Sequence, residues 1–180
     1  MTWFVPRDAR RVGVSLVVLL TSAVALFASL NAARTGPAPL ANALSSPEAL
    51  AEAVIDAMHA RDLERLRSLA LTEGEFRAHV WPYLPASRPE RNVPFDFVWN
   101  VLHQNSEGYL RQTIGGLEDL PELRRVEFAG ETSVYGDVTV HRETELVIGA
   151  ANTDERRIRL LGSMIEQDGT WKVFSYVVDD

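Results

Sequence analysis

The sequence predicts an α+β protein: an N-terminal transmembrane helix, then helices packed on an antiparallel sheet. Three observations carry that expectation. Residues 12–30, "VGVSLVVLLTSAVALFASL", contain no charge. Between residues 46 and 112, outside the proline-rich 85–94, apolar side chains repeat at helical spacing. Beyond Pro121, short runs rich in Val, Ile, Leu, Tyr and Phe are mostly separated by Gly, Asp and Asn turns. Helices first and strands later is the pattern of domains whose helices segregate to one face of an antiparallel sheet.

The apolar run comes first. Extended to residue 33 it reaches about 33 Å as a helix at about 1.5 Å per residue, enough for a hydrocarbon core of about 30 Å. Arg7, Arg10 and Arg11 precede it and Arg34 follows. The positive-inside rule then puts residues 1–11 in the cytoplasm and 34–180 outside it, periplasmic or extracellular. A cleaved signal peptide, with secretion, is the competing reading. Its apolar region is shorter, roughly 7–15 residues, and ends at a small-x-small site. Asn31-Ala32-Ala33 has Asn where a small residue is wanted, so an uncleaved single-pass anchor over 12–33 is favoured. Residues 34–46, "RTGPAPLANALSS", read as a linker, which leaves 47–180 as the extracytoplasmic domain.

Composition narrows the function. The chain has no cysteine, which removes disulfide scaffolds, thiolate metal sites and cysteine nucleophiles. Taking the three arginines and one aspartate before residue 34 from totals of 18 basic and 25 acidic residues leaves 15 and 24, a net of −9. An acidic body repels nucleic acid and anionic lipid surfaces, so neither is an expected partner. Lys172 is the only lysine, a bias read as compositional before it is read as chemistry.

The helices follow in order. Ser46-Pro47-Glu48 is a helix start, with Ser as cap and Pro in the first turn. Leu50, Val54, Ala57 and Met58 then recur on one face. A second helix is expected over 62–71 with Leu63, Leu66, Leu69 and Ala70 inward. Thr72 suits the cap of a third segment that ends near Pro82, and 85–94, with three prolines, is irregular. A long helix runs from about Pro94 to Gln112, closed by Gly115-Gly116, with Gly108 a weak point inside it.

Five strands are expected, over 124–129, 132–143, 145–149, 156–167 and 170–178. Asp168-Gly169 suits a two-residue type I′ turn between the last two, and "YGDV" at 135–138 suggests a bulge or bend. The final strand, "WKVFSYVV", is apolar on both parities. Such strands are covered on both faces, here by helices on one side and by a partner subunit or a strongly curled sheet on the other.

The candidate site residues lie mainly on the long helix. Asp96, Asn100, His103 and Glu107 fall at i, i+4, i+7 and i+11, one polar stripe, while Phe95, Val98, Trp99, Leu102 and Ser106 form another face. The stripe is either a solvated face, which is favoured, or the lining of a pocket. In a pocket, His103 would be the acid/base, because histidine titrates near neutral pH, with Glu107 or Asp96 orienting it. Asp96 stands about 10.5 Å from His103 along the axis, too far for a hydrogen bond; Glu107, at i+4, is in reach. Trp99, Asn100, Tyr109, Tyr135 and His141 complete the candidate pocket. His141 sits on a polar strand face that meets water or a pocket. The four histidines show no HxxxH, HxH or HExxH spacing. "GSM" at 162–164 is not a serine-hydrolase elbow, and "IGGLEDL" lacks the lysine of a phosphate loop. No metal and no cofactor is expected.

The element order, "SPEALAEAVIDAMHARDLERLRSLA" at 46–70 and the closing "GSMIEQDGTWKVFSYVV" resemble the nuclear transport factor 2-like superfamily, over about residues 46–178. That superfamily includes ketosteroid isomerase, scytalone dehydratase and SnoaL-like cyclases as well as binding and assembly domains. The resemblance implies a cone: a curved sheet wrapping a helix, with a pocket at the open end. Residues 74–121 are longer and more helical than in the compact enzymes, and no catalytic motif of those enzymes is matched, so no catalytic residue is carried over. Three readings follow: a non-catalytic module binding an apolar ligand or an envelope protein, which is favoured; an acid/base enzyme of isomerase, dehydratase or cyclase type; and a homodimerisation module using the sheet.

Overall fold

A computed structural model describes residues 37–114, 122–149 and 155–178. The elements below belong to the second of two units along the chain, the one that begins at Ala38. Residues 12–33, Gly115 and Gly116 lie outside the described residues. Among the described residues no helix is long and apolar enough to cross a membrane. The second unit is α+β, with helices and antiparallel sheets.

Helix α1, Pro47–His59, starts as its sequence requires: Ser46 Oγ accepts the Ala49 N–H at 3.0 Å, and Pro47 opens the first turn. Its buried stripe is Leu50, Ala51, Val54, Ala57 and Met58. Helix α2, Leu63–Leu69, is capped by Asp62 on the Arg65 N–H at 2.9 Å and buries Leu66 and Leu69. Thr72 and Glu75 form a reciprocal capping box on the short α3, Glu73–Glu75. The chain then widens into a π turn, Phe76–Val80, and tightens into three 3-10 turns ending at Arg91. Each 3-10 turn carries Pro at its start, where the missing N–H has no partner to lose. Helix α4, Phe95–Thr113, is continuous through Gly108, and open space around that residue leaves it without strain.

The strands form two antiparallel sheets. One has the order β1 (Leu123–Phe128), β4 (Thr144–Ile148), β5 (Arg156–Ile158). The other has the order β2 (Thr132–Tyr135), β3 (Val138–Arg142), β6 (Ser163–Gln167), β7 (Thr170–Ser175). Two expected strands are each two strands. The run 132–143 is a hairpin with Tyr135 opposite Val138. Gly136, at φ +58, supplies the left-handed turn residue, so "YGDV" reverses the chain instead of bulging it. The run 156–167 breaks between Ile158 and Ser163, and its halves join different sheets. The β6–β7 turn is as expected, with Asp168 and Gly169 both at positive φ.

The sheets meet at one corner. β3 becomes β4 through Glu143 at φ +52. Beside it Gly162 takes the Thr144 N–H on its carbonyl at 3.1 Å and donates to Ser175 O at 3.0 Å.

The strand alternation splits the core. One face of the four-stranded sheet presents Met164 and Val173 to α1 and α2, in a cluster with Leu146, Ile148 and Leu161. The opposite face presents Val138, Val140 and Ile165 to Leu40, Leu71, Phe76 and Val80, with α4 packed on through Phe95, Val98, Trp99 and Leu102. Both faces of β7 are therefore covered by this chain's own elements.

Residues 38–46 depart from the linker expectation. Leu40 is buried, its N–H donates to Gln167 Oε1 at 2.9 Å, and Leu44 bridges Trp171. Two leucines in a stretch of mostly small residues dock it as a strap: burial of Leu40 is worth about 1.5–3 kcal/mol, and Leu44 is partly buried.

Candidate functional site

Phe76 is the hub of an aromatic cluster under α4. Its ring centre lies 5.9 Å from Phe95, 5.6 Å from Trp99 and 6.4 Å from Phe174. These contacts fix the roll of α4 and decide where its polar stripe points. His103 and Glu107 come to the edge of a groove of about 540 Å³ between the α2–α3 corner, α4 and the end of β7. Ala70, Leu71, Trp99, Leu102, Phe174 and Tyr176 give it an apolar lining; Arg67, Glu73, His103, Ser106, Glu107 and Arg111 give it a polar one. A groove of this size suits one small ligand.

The polar groups are largely paired. Glu107 accepts Arg67 Nε on Oε1 at 2.9 Å and Nη2 on Oε2 at 2.8 Å, a bidentate fork. Arg67 also reaches Glu64 at 2.6 Å. The Arg67 fork holds the Glu107 carboxyl below the usual carboxylate range against the effect of burial, and those hydrogen bonds raise Arg67 in turn. His103 stacks on Trp99 with ring centres 5.5 Å apart and planes within 15°. No hydrogen bond links it to Glu107 among the described residues. Tyr176 donates its hydroxyl to Leu66 O at 2.7 Å, and its N–H to Ser106 Oγ at 3.1 Å. Burial, then the charge of Glu107, pushes the Tyr176 phenol up, so it stays a neutral donor.

The remaining candidates are dispersed. Asp96 is 80 % exposed, beside Arg77 at 3.4 Å, and Asn100 faces solvent; neither lines the groove. Tyr109 packs on the main core and Tyr135 on the second cluster. His141 belongs to the opposite sheet face, half-buried between Phe128 at 4.7 Å and Trp171 at 5.0 Å, and burial lowers its pKa. It does not line this groove: an aromatic stack with Phe128 and Trp171 covers part of the ring and leaves the rest to water. A second groove, of about 600 Å³, lies across Leu102 and Phe174 from the first and is lined by Arg142, Glu143, Ser163 and Ser175 among others.

Sequence reasoning missed Arg67, which no local spacing ties to Glu107, 40 positions away. It also missed a histidine–carboxylate pair. His79, 1 % exposed, sets Nδ1 3.1 Å from Asp137 Oδ1 and Nε2 2.9 Å from Ala38 O. Gln167 Nε2 donates to Asp137 Oδ2 at 2.7 Å. Both ring nitrogens of His79 are thus occupied, which suits fastening the strap to the β2–β3 turn and leaves no nitrogen for a substrate. Burial pushes the Asp137 carboxyl up, but the hydrogen bonds from His79 and Gln167 outweigh it and its pKa is lowered. A carboxylate with a depressed native pKa stabilises the fold above its unfolded value and loses that contribution as pH falls through the native one. The stability advantage of wild type over Asp137→Asn should shrink between about pH 5 and about pH 3, bracketing the usual aspartate value, in paired urea titrations. An advantage unchanged over that interval would contradict the assignment.

Among the described residues, no three His, Asp or Glu side chains gather where they could hold a metal ion. No family model, curated protein or solved structure matches the chain.

Proposed function

We propose that residues 38–178 form a non-catalytic binding module that seats a small apolar ligand, or an apolar side chain of an envelope protein, in the Trp99–Phe174–Tyr176 groove. The carrying observation is the pairing pattern at that groove: its apolar lining is open while its carboxylates are committed to arginines. A general acid/base needs a partner that orients it, and His103 has a tryptophan face instead. A curled sheet of the nuclear transport factor 2-like kind fits the packing of α1 against β1 and β7, one strand from each sheet. Residues 12–33 hold the module outside the cytoplasm. The mass of the membrane-bound protein tests this part, since loss of about 33 residues would show a cleaved signal.

Binding is tested with an uncharged fluorescent probe, N-phenyl-1-naphthylamine. The expected result is saturable one-site binding, weakened about tenfold by Trp99→Ala, because truncating a half-buried aromatic removes on the order of 1–2 kcal/mol of contact. Absence of saturable binding, or binding indifferent to Trp99, would overturn the reading.

A further inference from the structure

The charged groups of the groove are not equally committed. Glu73 takes Arg77 Nη2 at 2.9 Å, and Glu107 takes Arg67 on both oxygens. Arg67 is held by Glu107 and Glu64 together. Arg111 differs. It forms an ion pair with Glu107 Oε2 at 3.6 Å, beyond hydrogen-bond range, and shares that oxygen with Arg67, which holds it at 2.8 Å. The Arg111 side chain is 67 % exposed, so its donors face the groove mouth and solvent. Ser106 adds a second donor. Its oxygen accepts the Tyr176 N–H at 3.1 Å, which leaves the hydroxyl proton to give. Among the described residues, the hydrogen-bonding capacity left over at the groove is thus rich in donors, and the arginine that supplies most of them is held only by a carboxylate it shares.

These donors are set along α4 from the apolar floor. Trp99 and Arg111 are twelve residues apart, about 18 Å along the axis, with Ser106 between them. A ligand lying along the helix would rest its body on Trp99, Leu102 and Phe174 and bring its far end to Ser106 and Arg111. We infer that the groove takes an elongated apolar molecule carrying one carboxylate-type anionic group, with the anion at the Arg111 end. This rests on the binding reading above and adds the ligand's polarity and direction to it.

The test compares 4-phenylbutyrate with 4-phenylbutan-1-ol, a pair that differs in the anionic end, by calorimetry on the full-length chain in lipid nanodiscs, with empty nanodiscs as the blank. At low salt the acid binds about fivefold more tightly than the alcohol, the size expected for one partly exposed charge pair. Arg111→Gln lowers the acid's affinity to the level of the alcohol's, with the circular dichroism unchanged. If both compounds bind wild type equally, or the preference survives in Arg111→Gln, the anionic assignment is wrong while the groove reading stands. If neither compound binds at millimolar concentration, the groove reading fails and takes this inference with it.

Discussion

Glu75→Gln is expected to destabilise the domain by about 3–5 kcal/mol, the range for leaving one member of a buried ion pair without its counter-charge. Lys172 is fully buried, and its ammonium lies 2.8 and 3.1 Å from the two Glu75 oxygens. The same carboxylate accepts the N–H and hydroxyl of Thr72 at 2.8 and 2.9 Å, and the Ala41 N–H at 2.7 Å. Burial alone would push the Glu75 carboxyl up, but these donors together hold it below the usual carboxylate range. One side chain thus joins α3, the strap and β7.

The effect is asymmetric. Lys172→Met leaves Glu75 with three donors and should cost less, about 1–3 kcal/mol. The double variant Glu75→Gln with Lys172→Met should be less destabilised than the sum of the singles, because the buried ammonium is gone. Urea unfolding of the full-length chain in mild detergent, followed by near-ultraviolet circular dichroism, gives all three values. A Glu75→Gln variant within about 0.5 kcal/mol of wild type, the scatter of ordinary surface substitutions, would show that the pair is not buried as described.

Gly162→Ala is the second large effect. A Cβ on Gly162 would run into the backbone carbonyl of Val177, which cannot turn aside as a flexible side chain can. Gly162 is also where the two sheets join, through Thr144 on one side and Ser175 on the other. Relieving the clash means separating strands, so the loss should reach about 2–4 kcal/mol, at or beyond the upper end for overpacking. Gly108→Ala is the control. It sits in open space inside α4, and removing a helix-interior glycine should stabilise by about 0.5–1 kcal/mol. Equal responses at the two positions would contradict the corner.

Much of the helical half was legible because its signals are local. Ser46 and Thr72 cap the helices they precede, the second helix starts beside Asp62 as expected, and the Leu50–Val54–Met58 stripe is the stripe that is buried. The Asp168-Gly169 turn was equally plain, since few residue pairs accept two positive φ values. What the sequence hid depends on contacts between distant positions. Nothing near Leu40 or Leu44 marks them as docked, because their partners Gln167 and Trp171 lie over 120 residues away. Lys172 looked like compositional noise until Glu75 stood opposite it.

On α4 the apolar face and the polar stripe were both readable. The roll of the helix was not, because Phe76 and Phe174 set it. Of the stripe, His103 and Glu107 border the groove, whereas Asp96 and Asn100 turn to solvent.

The groove's role as a binding site is the central claim, and photoaffinity labelling tests it most directly. The full-length chain would be labelled with an uncharged alkyl diazirine, with and without excess N-phenyl-1-naphthylamine, and the modified peptides mapped. The predicted result is labelling at residues 99–106 and 174–176 that the competitor removes. Labelling confined to the Arg142–Ser163 groove or to scattered surface positions, unaffected by the competitor, would contradict it.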